Sequence, residues 1–318
     1  MIAMRTRTLV LVGRRLAQAI PLLAVVLFVV FALVRVAPGN PARAQLGLRA
    51  TPARVASLEH ELGLEKPLLS GYLEYAWHAL QGNLGNSVKA QVPVTTLIGD
   101  RASVTVWLLV CAVLLSLAIG VPLAVISATR AEERADHAIR AMSVLGLSIP
   151  TFWLGLMLVS FVALETGWFP VSGFGRGFFG HLHAIVLPAL TLAVAIAPIQ
   201  IRALRVALIS VLESDFIAAF RAVGVKERRV MLRHALPNAL LASLALLSAQ
   251  VGVLLFAEVI VENTFDLPGL GQAMLQGVVE RDYPVVQGLT LLAAGTVIAV
   301  NLLVDVLYVT LDPRIDLA

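Results

Sequence analysis

The sequence predicts an all-α membrane protein with six transmembrane helices. Six uncharged stretches, 16–34, 102–129, 141–164, 184–201, 235–257 and 283–304, each reach the roughly 18–20 residues needed to cross a ~30 Å hydrocarbon core. Hydrophobic residues make up 59% of the chain, charged residues 14%, and the mean hydropathy is +0.89. A soluble domain lies near 45–50% apolar and about 25% charged. The net charge of +4 does not point to nucleic acid, because the basic residues lie between the apolar runs, as in loops of a membrane protein.

The chain opens with a basic segment, 1–15, carrying Arg5, Arg7, Arg14 and Arg15. The first span, 16–37, follows. Basic residues before an apolar run also mark secretory signals, and Ala42-Arg43-Ala44 has the look of a cleavage site. The run exceeds the 7–15 residues of a signal core, so it reads as a retained span. The later spans contain Gly120, Pro122, Pro150, Pro188 and Pro198, which embedded helices tolerate when neighbours satisfy the freed backbone groups.

Charge sets the expected orientation. With the N-terminus in the cytoplasm, the inner segments hold Arg5, Arg7, Arg14, Arg15, Arg130, Arg134, Arg140, Arg202, Arg205, Arg221, Lys226, Arg228, Arg229, Arg233 and Arg314. These are fifteen of the 24 Lys and Arg. Five of the rest are spread through one long loop, which counts for little in orientation. Both termini are therefore expected in the cytoplasm, including a tail at 312–318.

The external segment 38–101 has helical patterns at 52–63 and 67–80 and is too short for an enzyme domain. A five-helix core, 102–311, follows. Its external loop 165–183 is rich in Gly and aromatic residues: Trp168, Phe169, Phe174, Phe178 and Phe179. The lone Cys111 lies in an apolar run, so no intramolecular disulfide is possible.

The cytoplasmic loop 202–237 is the most informative part. Ser214-Asp215 can cap a helix N-terminus. Phe216, Ala219, Phe220 and Val223 then recur at i, i+3, i+4 and i+7, one apolar face of a short helix. Gly224 suits a left-handed stop, and Leu236-Pro237 opens the next span. Such a helix can rest in the lipid interface with its arginines on phosphates, or present a knob to a cytoplasmic partner.

The spacing of this loop resembles the Glu-Ala-Ala loop of ATP-binding-cassette (ABC) importer permeases: Glu-Ala-Ala, three residues, Gly, nine residues, then Ile-x-Leu-Pro. Ala219, Gly224, Leu236 and Pro237 match in register, while Ala218, Phe220 and His234 replace the Glu, the second Ala and the Ile. The C-terminal third adds Glu262-Asn263-Thr264-Phe265, Pro268-Gly269-Leu270-Gly271, Arg281-Asp282-Tyr283-Pro284, Asn301-Leu302-Leu303-Val304-Asp305 and Asp312-Pro313-Arg314-Ile315. Ala37-Pro38-Gly39-Asn40-Pro41, Glu61-Leu62-Gly63-Leu64 and Gly82-Asn83-Leu84-Gly85 complete a pattern covering nearly the whole chain. It resembles the dipeptide/oligopeptide/nickel permease family of ABC importers.

That resemblance implies the type I importer architecture in a bacterial inner membrane. The chain would form half of a translocation pathway for peptides, with nickel complexes or glutathione as alternatives. The implied partners are a second homologous permease, as a heterodimer, two ABC ATPases and an external substrate-binding protein. ATP and Mg would belong to the ATPases, and no catalytic residue, cofactor or metal is expected in this chain. In accord, Lys66, Lys89 and Lys226 are the only lysines and none precedes Ser or Thr, so the G-x-x-x-x-G-K-[ST] phosphate loop is absent. The implied coupling residues are Asp215, Phe216, Ala219, Phe220, Val223, Gly224, Leu236 and Pro237.

Polar residues within or beside the spans are pathway candidates: Gln200, Asn238, Gln250, Glu258, Gln287, Asn301 and Asp305. Glu258, Glu262 and Asp305 are placed near interfaces, where a carboxylate costs little. Structural roles come first for them, with Arg314 or backbone donors as partners for Asp305. His181-x-His183 is the closest approach to a metal spacing and reads as a solvated loop feature. An ion-coupled secondary transporter would show midplane carboxylates and broken helices. An intramembrane enzyme would need a partner for Ser116, Ser148 or Ser160 at equal depth, and none is found.

Overall fold

The computed structural model describes residues 2–36, 41–47, 50–61 and 65–311. Among them lie thirteen α-helices: α1 (Ile2–Val36), α2 (Pro41–Leu46), α3 (Pro52–Glu61), α4 (Leu68–Leu80), α5 (Val94–Thr129), α6 (Arg134–Ser148), α7 (Thr151–Met157), α8 (Gly177–Leu212), α9 (Asp215–Ala222), α10 (Glu227–Val230), α11 (Leu236–Thr264), α12 (Leu270–Glu280) and α13 (Tyr283–Leu311). Wider π-helical turns follow α7 (Leu158–Leu164) and α10 (Met231–Ala235). The expected tail 312–318, its Asp312–Ile315 block, Arg314 and parts of the motifs at 37–41 and 61–64 lie outside the described residues.

Helices α1, α5, α8 and α13 each contain a segment long and apolar enough to cross a membrane. All but the first residue of the expected span 235–257 falls within α11, whose 29 residues rise about 43 Å at 1.5 Å each. The expected continuous span 141–164 is instead two pieces, α6 and α7 with its π turn, bent by 96° at residues 149–150. Pro150 explains the break. It has no N–H for the helical ladder, and it forces Ile149 into extended backbone, φ −79° and ψ 120°.

The chain divides into two compact units, residues 1–12, 106–267 and 300–318 in one and 13–105 with 268–299 in the other. In the first, α8 is central and packs against α6, α7 and α11. Most of its apolar window is buried, whereas residues 290–298 of α13 are half-buried.

In the second unit, Asp282 organises the stretch between α4 and α5. Its buried carboxylate accepts from Ser87 Oγ at 2.6 Å, Lys89 N at 3.1 Å and Val88 N at 3.4 Å. A bridge between Asn86 and Pro93 closes the same loop. Gly288 of α13 lets it seat closely, since a Cβ there would lie 2.7 Å from Val94 Cγ1.

Candidate coupling site

Between α8 and α11 the chain makes a compact knob. Asp215 sits in the first turn of α9, where a carboxylate favours the positive helix end. The expected Ser214 side-chain cap is absent. The Ser214 hydroxyl donates back to Val211 O at 2.5 Å and so closes the last turn of α8 instead. At the other end α9 stops as expected, with Gly224 at φ +78°. Val225 N donates to Phe220 O at 3.1 Å and Gly224 N to Arg221 O at 3.0 Å, the two bonds of a Schellman stop.

Arg221 straps the stop from outside. Its Nη2 and Nε donate to the two Glu227 carboxylate oxygens at 2.6 and 3.1 Å, and its Nη1 donates to Leu212 O at 3.2 Å. The side-chain hydrogen bonds from Arg221 hold the Glu227 carboxyl below its usual range and raise Arg221 in return.

The inward face of α9 is carried by Ile217, which is fully buried against Leu204 and Leu208 of α8 and Val230 and Met231 after the stop. Phe216, Ala219 and Val223 are exposed, Val223 by 77%. Phe220 departs from the expected free face. It is half-buried, packs on the same core and stacks on His234 with ring centroids 4.0 Å apart. Phe220 and His234, two of the three departures from the loop consensus, thus meet each other.

Leu236 and Pro237 begin α11 as expected. Pro237 has no N–H to offer the preceding turn, and that turn is the π-helical one, where the ladder is already widened. Asn238 Nδ2 donates to His234 O at 2.6 Å, so this pathway candidate bonds within its own helix.

A second cluster lies in the same unit, and residue spacing gave no sign of it. Asp136 at the start of α6 is fully buried and accepts from Arg205 Nε at 2.7 Å and Nη2 at 2.6 Å. Ser127 Oγ and Glu132 N add bonds of 2.5 and 3.0 Å. Arg205 is on α8 between Leu204 and Leu208, and Ile139 of α6 joins the core that holds Ile217. The α5–α6 turn, α6, α8 and the knob are therefore tied together by one core and one ion pair.

The other pathway candidates lie on α8, α11 and α13. Gln200 on α8 and Gln287 on α13 are buried, while Asn301 and Asp305 on α13 are half-buried. Gln200 Oε1, Gln250 Oε1 and Glu258 Oε2 make no hydrogen bond among the described residues. Glu258 and Glu262, expected at an interface, are 4% and 0% exposed. They are buried in protein, on a helix that packs against α7 and α8. His181 and His183 hold their loop: Nδ1 of His181 donates to Phe174 O at 3.0 Å and Nε2 of His183 to Trp168 O at 2.6 Å.

Known proteins share this architecture. The glutathione transport system permease protein of Pectobacterium atrosepticum is 38% identical over 302 residues, 95% of this chain and 97% of the relative. The dipeptide permease protein of Escherichia coli K12 is 36% identical over the same shares. The oligopeptide permease protein of Bacillus subtilis is 34% identical, over 95% and 98%. A chain of an inward-facing methionine ABC transporter superposes with a TM-score of 0.56 at 19% identity, over 68% of this chain and 96% of its own length, which shows a shared fold. The family model of binding-protein-dependent transport system inner membrane components matches residues 120–317, and that of their N-terminal part matches 8–109. The chain belongs to the family of inner membrane components of binding-protein-dependent transport systems, the permease subunits of ABC importers.

Proposed function

We propose that this permease passes peptides, paired with a homologous second permease, and takes its drive from two ABC ATPases that seat the α9 knob. The observation that carries the reading is the knob itself. Its exposed residues Phe216, Ala219 and Val223 lie on α9 and its C-terminal cap, while Ile217 is locked into the apolar core shared with α8. A helix that is free outside and fixed inside suits the helix-in-groove mode of docking. Closure of the ATPases would then move α9, α8 and α6 as a rigid body and tilt the spans.

In this reading residues 16–34, 102–129, 184–201, 235–257 and 283–304 are spans, the bent pair α6 and α7 makes the sixth, broken at Pro150, and 1–15 and 312–318 lie in the cytoplasm. An external binding protein delivers the substrate, and ATP and Mg stay with the ATPases. Gln200, Gln250, Glu258, Gln287, Asn301 and Asp305 are the polar groups available to a pathway.

Peptide cargo follows from the relatives named for dipeptides, oligopeptides and glutathione, itself a tripeptide. The test is uptake into proteoliposomes holding the four-subunit assembly, with its binding protein and labelled dipeptides, pentapeptides, glutathione or nickel complexes. ATP-dependent accumulation of a peptide is expected. Accumulation of nickel complexes alone would refute the peptide reading.

A further inference from the structure

Helix α4 belongs to the second unit and packs on α1. It has three different sides. Gly71, Tyr72 and Tyr75 face α1: Tyr72 stacks edge-on to Phe28 at 5.3 Å and Tyr75 lies 5.7 Å from Phe31. A Cβ on buried Gly71 would collide with the Arg35 guanidinium. Beside this side runs a polar stripe, Ser70, Glu74 and His78, all exposed. The third side is apolar and bare: Leu69, Leu73, Trp77 and Leu80 are between 59% and 82% exposed.

The bonds between α4 and α1 fix its depth. Arg35, just beyond the uncharged part of α1, donates to Lys66 O at 3.0 Å, so the start of α4 lies level with the charged end of the span. Further along, Tyr72 Oη donates to Ala24 O at 2.9 Å. Ala24 lies ten residues inside Val34, about 15 Å along the helix axis and about halfway through a ~30 Å core. A tyrosine side chain spans less than that distance, so the body of α4 sits below the level of Arg35. The same membrane depth is lined on α1 by Val25, Val29 and Leu33, all exposed and apolar.

We propose that α4 is an interfacial helix: its Leu69–Leu73–Trp77–Leu80 side is sunk among the lipid acyl chains beside α1, and its Ser70–Glu74–His78 stripe faces the headgroups and water. This departs from a wholly external 38–101 segment and rests on α1 being a span. The occupant is lipid because the bare side continues the lipid-facing surface of α1 at equal depth. Trp77 suits that boundary, since an indole has an apolar body and one donor. Glu74 keeps its charge out of the core by pairing with Lys66 Nζ at 2.5 Å on the headgroup side.

Spin labels test this. In a Cys111→Ala chain, single cysteines replace Leu69 to His78 in turn, and the assembled transporter is placed in nanodiscs of phosphatidylethanolamine and phosphatidylglycerol. Labels at 69, 73 and 77 should collide more with oxygen than with a water-soluble nickel chelate, and labels at 70, 74 and 78 the reverse. Chelate-dominated collisions at 69, 73 and 77 would mean a solvated cap and overturn the proposal. Low collision with both reagents there would mean a protein partner and also overturn it. A label at Val25 separates the premises: oxygen-rich at 25 with failure at 69, 73 and 77 leaves the span standing and removes only the interfacial helix.

Discussion

Asp136 and Arg205, 69 residues apart, form a two-bond ion pair at 2.6–2.7 Å with the carboxylate wholly buried. Two bonds from one guanidinium fix orientation as well as distance, so α6 cannot slide along α8 without breaking both. Removing one partner takes away the best-aligned match, leaving Asp136 with Arg140 at 3.5 Å or Arg205 with Glu132 at 3.5 Å, so the cost is below the ~3–5 kcal/mol of a wholly unmatched buried ion. Asp136→Ala and Arg205→Ala should each lower thermal stability of the purified chain and its abundance in membranes. Arg205→Lys should fall between, since an ammonium is a single point of charge. The double variant Asp136→Leu/Arg205→Met should recover much of the loss. A double variant no better than either single one would show that the pair does more than match charge.

The two faces of α9 should separate by readout. Phe216→Asp and Val223→Asp alter exposed residues and should leave stability within about 0.5 kcal/mol of the parent, while ATPase copurification and uptake collapse. Ile217→Asp puts a carboxylate into a closed apolar core, so the chain itself should be destabilised. Phe220→Asp should resemble Ile217→Asp because it loses the stack on His234. Retained ATPase copurification in Phe216→Asp and Val223→Asp would reject the exposed face as the docking surface.

The local shape of the 214–237 loop was legible because its signals are local. A run of apolar residues and a left-handed glycine lie within ten residues of each other, and a proline at a helix start follows soon after. The inward residue was not legible. In an eight-residue helix with Phe216, Ile217, Ala218, Ala219 and Phe220 in succession, periodicity allows either side to face in, and α8 decides for Ile217. Asp136–Arg205 was invisible for a different reason: each looks like a solvated loop charge until α6 folds back on α8. The Arg281-Asp282-Tyr283-Pro284 block was legible as a pattern. Its physics came with the fold: Arg281 is a left-handed cap at φ +58° and Asp282 a hub for residues 87–89.

That hub gives a prediction about the loop before α5. Asp282→Ala deletes the acceptor for Ser87 Oγ and two backbone donors; the buried Ser87 hydroxyl loses its partner at about 1–3 kcal/mol, while the amides of half-buried Val88 and exposed Lys89 can turn to water. Protease added to the purified protein should cut between residues 84 and 93 faster in Asp282→Ala than in the parent, and Asp282→Asn should be intermediate. Equal cutting rates would show that the loop is held by other contacts.

The strap at the end of α9 should be insensitive to pH near neutrality. Glu227 has a depressed carboxyl, so its pairing contributes above the unfolded value near 4.5 and is lost only as pH falls through the lower folded value. Both side chains are exposed, and the pair is worth at most about 1 kcal/mol. Glu227→Gln should change the pH 7 melting temperature little and should flatten what remains of the acid dependence below pH 4.5. A marked change between pH 6 and 8 that Glu227→Gln removes would contradict this assignment.

Gly224 sets the shape of the knob, and its substitutions should rank by backbone cost. At φ +78° a side chain costs roughly 1–2 kcal/mol, least for Asn. No atom lies within 4 Å of a Cβ built there, so strain and not collision is the only penalty. Gly224→Asn should therefore keep most uptake, Gly224→Ala less and Gly224→Val least, with membrane abundance nearly constant because no span is altered. If α9 simply rested on lipid, the bilayer would absorb all three changes and uptake would not follow the ranking. Uptake and ATPase copurification measured across the three variants decide between them, and a flat response would remove the coupling role from this loop.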